Sequence, residues 1–86
     1  MLPSLDFSDA LLAAKAGHRI SRTGWNGKGM WVVLSPGYTR AIRTEMGDNV
    51  RDFRAHLLLR DVEGKYVPWL ASQTDILAED WLDLDK

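Results

Sequence analysis

The chain contains no cysteine, which excludes a disulfide framework and a thiolate metal site. It has no apolar run long enough to span a bilayer. Its start lacks the basic residues and apolar core of a signal peptide. A cytoplasmic protein with no membrane partner is therefore expected. There is no excess of positive charge either: 11 Lys/Arg against 12 Asp/Glu leave a net charge of −1, which argues against general nucleic-acid binding. The two histidines, His18 and His56, form no metal-spaced cluster, so a structural role is expected for both. Ser72 lacks the GxSxG setting of a nucleophilic serine. Gly24-Trp25-Asn26-Gly27-Lys28-Gly29 lacks the spacing of a phosphate-binding Walker loop. No catalytic group, metal or cofactor is expected.

What is present fits one small domain over residues 1–86. A chain of 86 residues buries a modest core and is often helped by association with copies of itself. An apolar fraction of 45% is ordinary for a globular protein and argues against disorder. The charge is unevenly placed. Residues 15 to 65 hold ten Lys/Arg against five Asp/Glu, and the two ends together hold one Lys against seven Asp/Glu. A basic middle suits a small anion such as a nucleotide; the same charges would equally decorate solvated strand faces.

The periodicity predicts an α+β domain, with one main helix packed on a small antiparallel sheet. Asp6 is a good N-cap, Phe7, Leu11 and Ala14 recur at helical spacing, and Gly17 suits the position after the helix. A helix over residues 7–16 follows. His18–Arg22, Met30–Leu34, Phe53–Arg60 and Tyr66–Leu70 read as strands. Asp61–Lys65 reads as a hairpin connection with Gly64 at positive φ, and Pro68 pushes its strand toward a sheet edge. Ser72 or Thr74 can cap a short helix through Glu79. Trp81–Leu84 alternates apolar and acidic residues and reads as a closing strand, and the acidic stretch Glu79–Asp85 reads as a solvated strand face. Residues 38–50 show no clean period and read as a long connection.

Two tryptophan segments carry the functional signal. In Thr23-Gly24-Trp25-Asn26-Gly27-Lys28-Gly29-Met30-Trp31, glycines allow a close backbone approach and an indole offers a flat face for a base. Stacking of that kind is worth about 1–3 kcal/mol per base. Trp25 lies in turn chemistry, and the alternative is an aromatic that merely covers the sheet. Asn26 can read a base edge or ribose hydroxyls, or simply tolerate a left-handed turn. Lys28 can neutralise a phosphate or be a solvated loop lysine. Trp31, at the start of an apolar strand, reads as core. In the second segment, Trp69 precedes Ser72, Gln73, Thr74 and Asp75 at a helix start. There, unpaired N–H groups and hydroxyls suit an anion; Asp75 suits ribose hydroxyls, or the segment only caps the helix.

These blocks have a family likeness. Asp6-Phe7-Ser8-Asp9-Ala10-Leu11, Gly24 to Met30, Ser35-Pro36-Gly37 and Val67 to Trp81 together resemble the Thoeris anti-defence sponge family of small phage and prophage proteins. The resemblance runs from about Leu5 to Leu84. It implies that the chain sequesters, without cleaving it, the cyclic ADP-ribose-type signal of a bacterial TIR-domain defence enzyme, or the cyclic dinucleotides of a related system. It also implies a homotetramer built from dimers, with pockets at subunit interfaces, in the host cytoplasm. The first block places Trp25 and Asn26 at the pocket, and the second places Trp69, Ser72, Gln73, Thr74 and Asp75 there. A loop bordering the pocket falls in residues 38–52. Family members often carry an aromatic-Arg-Pro-His run before the fourth strand; this chain has Phe53-Arg54-Ala55-His56, with Ala55 in place of proline. The expected ligand contacts are Trp25, Asn26, Lys28, Arg54, Trp69, Ser72, Gln73, Thr74 and Asp75.

Overall fold

The structure, a computed structural model, describes residues 4–25, 29–37 and 53–86. Helix α1 spans Phe7–Lys15, and Asp6 caps it by accepting the Asp9 N–H at 2.9 Å. Gly17, at φ 93°, ends it. The Gly17 N–H donates to the Ala14 carbonyl and the His18 N–H to the Ala13 carbonyl, both at 3.0 Å, which satisfies two otherwise orphaned carbonyls. Ala10 and Ala14, one turn apart, are fully buried. Their small side chains let the helix lie close on the sheet.

The sheet has five strands: β1 (Ile20–Arg22), β2 (Trp31–Ser35), β3 (His56–Arg60), β4 (Tyr66–Pro68) and β5 (Trp81–Asp83). Their order is β4-β3-β2-β1-β5, and every pairing is antiparallel. Pro68 thus sits on an edge strand, as its missing N–H requires. In the β3–β4 connection, Asp61 accepts the Glu63 and Lys65 N–H groups at 2.9 Å each, and Gly64 takes φ 84°. A short helix, α2 (Gln73–Leu77), precedes β5. The other edge is covered where Leu5 pairs with Trp81.

Several strands are shorter than their sequence patterns. β1 begins at Ile20: the His18 N–H still closes the end of α1 on the Ala13 carbonyl, and Arg19 spends its N–H on the Asp85 carboxylate and its carbonyl on the Leu84 N–H. β3 begins at His56 because the chain at 53–55 packs closely on Gly37. Gly37 has φ 87°, and a Cβ there would strike the Phe53 carbonyl oxygen.

Register assigns the faces. Ile20, Val32, Leu59 and Val67 lie opposite one another across four strands, and Trp81 and Asp83 share their face through β5. α1 packs here, and Ala10, Ala14, Ile20, Val32 and Trp81 form the buried core. The closing strand therefore departs from its expected orientation. Its acidic face is the inner one: Asp83 is only 8% exposed, and His18 Nδ1 meets its carboxylate at 2.8 Å. A buried carboxylate is tolerated only when paired in this way. Trp31 departs in the opposite sense. It lies on the other face, half-buried between the guanidinium groups of Arg19 and Arg60, whose Cζ atoms stand 5.1 and 4.5 Å from its ring centre. Among the described residues neither helix packs on that face.

Candidate functional site

The site grows from Trp81. Its position on the inner face of β5 buries it completely, and three rings gather on it. Phe7 comes from the first residue of α1, Trp25 from the turn after β1, and Trp69 from the chain leaving β4. Ring centres stand 5.4, 5.3 and 6.0 Å from Trp81, and Trp25 lies 6.3 Å from Trp69. The indole pairs meet edge-on, at 69–80°, the arrangement that the ring quadrupoles favour. Trp25 and Trp69 are both half-buried. Each gives part of its surface to the core and keeps part in solvent.

A polar cluster fixes the edge of this aromatic group. Ser72 caps α2: its Oγ accepts the Asp75 N–H at 3.1 Å, and Asp75 Oδ2 in return accepts the Ser72 N–H at 3.3 Å and the Ser72 hydroxyl at 2.9 Å. This reciprocal cap is the motif that the serine-to-acid spacing predicts. The other Asp75 oxygen accepts from Arg22 Nη1 at 2.8 Å and from the Trp25 indole N–H at 3.3 Å. The Asp75 main-chain carbonyl accepts the Trp81 indole N–H at 2.9 Å. Arg22 Nε reaches Asp80 at 2.8 Å, and Asp80 also accepts the Gly24 N–H and the Thr23 hydroxyl.

The electrostatics follow from these bonds. Burial works against ionising Asp75, but hydrogen bonds from Arg22, Ser72 and Trp25 outweigh it and hold its carboxyl below the usual range. Asp80 is lowered as well, first by its hydrogen bond from Arg22. Arg22 is raised, by Asp80 first and then by Asp75. All three groups are charged at neutral pH.

Of the residues expected from sequence, the structure brings together Trp25, Trp69, Ser72 and Asp75. Gln73 and Thr74 follow at the start of α2, exposed and without side-chain hydrogen bonds among the described residues. The helix start expected to suit an anion spends part of its donor capacity on its own cap. α2 has only five residues, and the Asp75 N–H is taken by Ser72. Asp75 is likewise engaged through both oxygens, as a hub of the protein's own structure. Arg54 lies outside this cluster, exposed ahead of β3, where its carbonyl accepts from His56 Nδ1 at 2.7 Å. Asn26 and Lys28 lie outside the described residues, as does the connection at 38–52.

Sequence reasoning passed over Phe7, Arg22, Asp80 and Trp81. Arg22 looked like a strand-face charge and Asp80 like part of a solvated acidic run. The one legible hint was Trp81, a fourth indole in so short a chain. A groove of about 510 Å³ runs along the flank of α1, lined by Leu5, Asp9, Leu12, Ala13, His18, Asp83 and Lys86. None of the tryptophans borders it. Its two carboxylates face one lysine and one histidine, so it suits an anion poorly and we do not take it as the site. Among the described residues no group of His, Asp and Glu is placed to hold a metal.

Comparison with known proteins bears on this arrangement. Residues 5–84 match the Tad2-like family, described as the Thoeris anti-defense 2-like domain. The chain is also similar to the Thoeris anti-defense 2 protein of Bacillus phage SP01. The two are 33% identical over 87 residues, which cover 94% of this chain and 96% of the phage protein.

Proposed function

The chain belongs to the Thoeris anti-defense 2-like family, and from that premise we propose that it is a phage anti-defence sponge. It binds a cyclic nucleotide immune signal of the cyclic ADP-ribose type and holds it without cleaving it. The observation that carries this reading is the pair of half-buried indoles, Trp25 and Trp69, set 6.3 Å apart on a buried third. Flat surfaces fixed before the ligand arrives lose little entropy on binding, and a sponge needs that economy. Nanomolar capture corresponds to about −12 kcal/mol. Gln73 and Thr74, exposed at the start of α2, are the proposed polar contacts. Asn26, Lys28 and Arg54 complete the proposed set, with Ser72 and Asp75 shaping the wall.

The reading extends to a homotetramer of two dimers, with each pocket completed between subunits. The sheet face that neither helix covers among the described residues would serve as the surface for a second copy. Among the described residues no helix is long and apolar enough to cross a membrane, which is compatible with action in the host cytoplasm.

Calorimetry against cyclic ADP-ribose isomers and the common cyclic dinucleotides tests the proposal. After heat denaturation, chromatography should return the bound ligand intact; a linear product would point to an enzyme instead. Loss of one stacked base costs about 1–3 kcal/mol, so Trp25→Ala and Trp69→Ala should each weaken binding by about 5- to 150-fold. Because both indoles also pack on Trp81, Trp25→Phe and Trp69→Phe serve as milder variants that preserve the fold. Undiminished affinity in all four would remove the site from these residues.

A further inference from the structure

Arg22 has a role that its place in a strand does not suggest. It is the last residue of β1, directly opposite Trp81 of β5, and its side chain is 16% exposed. The guanidinium spans two carboxylates that come from different parts of the chain. Asp75 belongs to the α2 cap, and Asp80 lies just before β5. Each of these carboxylates also receives a donor from the turn at 23–25. Asp75 takes the Trp25 indole N–H, and Asp80 takes the Gly24 backbone N–H at 2.9 Å. The turn is therefore hung at two points on acids that one arginine orients.

Gly24 supports the same conclusion from the other side. A Cβ at that position would come within 2.9 Å of Asp80 Oδ2 and 3.5 Å of Arg22 Nη2. The backbone approaches this ion cluster so closely that only glycine fits without displacing it. The charge balance matters too. With Arg22 the cluster carries one net negative charge; without it, two carboxylates would stand uncompensated beside the indoles.

We infer that Arg22 is the positioning residue of the tryptophan site: by bridging Asp75 and Asp80 it holds Trp25 in its binding orientation in the free protein and shields an anionic ligand from both acids. The inference rests on the proposed capture of a cyclic nucleotide at this site. A lysine would keep the charge, but its compact ammonium lacks the planar fork of donors that reaches both acids at once. Bridging and charge are thereby separable.

The experiment compares the wild-type protein with Arg22→Lys and Arg22→Gln, using ¹⁵N-labelled full-length chain. Tryptophan indole N–H signals are followed by NMR, with the Trp25 signal identified from Trp25→Phe. Affinity is measured by calorimetry against the cyclic ADP-ribose isomers and cyclic dinucleotides named above. In Arg22→Lys the Trp25 indole N–H should exchange with water at least about tenfold faster, while the Trp31 signal, on the other sheet face, stays unchanged; affinity should fall at least about tenfold as the pre-set geometry is lost. Arg22→Gln should lose more, since it also removes the charge. Asp80→Asn, at a carboxylate 31% exposed, is the milder variant should the arginine substitutions fail to fold, and it should shift both readouts in the same direction. Unchanged Trp25 exchange in the folded variants would overturn the inference. So would a freed Trp25 with undiminished affinity. If the wild-type protein binds no member of the panel while Arg22→Lys still frees Trp25, the sponge reading fails and Arg22's hold on the indole stands.

Discussion

Replacing Asp75 with asparagine tests the ion cluster with little change in shape. The amide oxygen can still accept from Arg22 and from the Trp25 indole, but as a neutral acceptor. The amide nitrogen then faces the Ser72 N–H and hydroxyl, so the return half of the α2 cap is lost. Hydrogen bonds to charged groups are worth about 1.5–3 kcal/mol each. The larger penalty for stranding a buried charge does not apply in full, because Asp80 continues to pair with Arg22. The expected loss is about 2 kcal/mol, or about 8–16 °C in Tm for a domain of this length. Urea unfolding followed by circular dichroism measures it. Protein concentrations must be matched, since self-association raises apparent stability.

The pH dependence provides an independent check. The folded-state pKa of Asp75 is depressed, so its contribution is fully present above the unfolded value of about 3.9. That contribution is lost as pH falls through the folded value. The gap between wild type and Asp75→Asn should therefore be largest at pH 7 and close in acid, where the protonated aspartic acid resembles the amide. A gap below about 0.5 kcal/mol at pH 7, which is no more than an ordinary surface substitution produces, would refute the reasoning. A gap that widens toward acid would refute it too.

Two further outcomes follow from packing and backbone geometry. Trp81→Ala empties the centre of the aromatic group and should cost about 3–5 kcal/mol; against a typical total of about 5–15 kcal/mol, gel filtration and circular dichroism should report a largely unfolded or badly weakened chain. Gly37→Ala and Gly17→Ala form a matched pair, since both glycines have positive φ. Gly17 has open space around its missing Cβ, whereas Gly37 would collide with the Phe53 carbonyl oxygen. Gly17→Ala should lose about 1–2 kcal/mol from the left-handed backbone alone, and Gly37→Ala distinctly more. Equal losses in paired unfolding curves would show that the Phe53 contact gives way freely.

Much of the architecture was legible because it is local. The Asp6 cap, the Gly17 terminus, the Asp61–Lys65 connection and the Ser72–Asp75 cap each involve residues within a few positions of one another. Residue type and spacing fully state such interactions. The edge position of β4 was legible for a related reason, since a proline without an N–H excludes its strand from a sheet interior. The long aromatic blocks identified the family and made Trp25 and Trp69 the candidates.

The rest depended on partners distant in sequence. Arg22 finds Asp75 and Asp80 across 53 and 58 positions, and His18 finds Asp83 across 65. In an alternating run such as Trp81-Leu82-Asp83-Leu84, either set of side chains can face inward. The large indole and a histidine waiting opposite the acid turned the acidic set toward the core, against the hydropathy pattern. Trp31 was decided in the same way: an indole at a strand start suits a core or a face flanked by arginines, and strand pairing chose the second. The amino-acid order by itself determined caps, turns, strand candidates and family. Tertiary structure alone decided which charges are buried and which indoles remain available, because the fate of a polar or aromatic side chain is set by what folding places across from it.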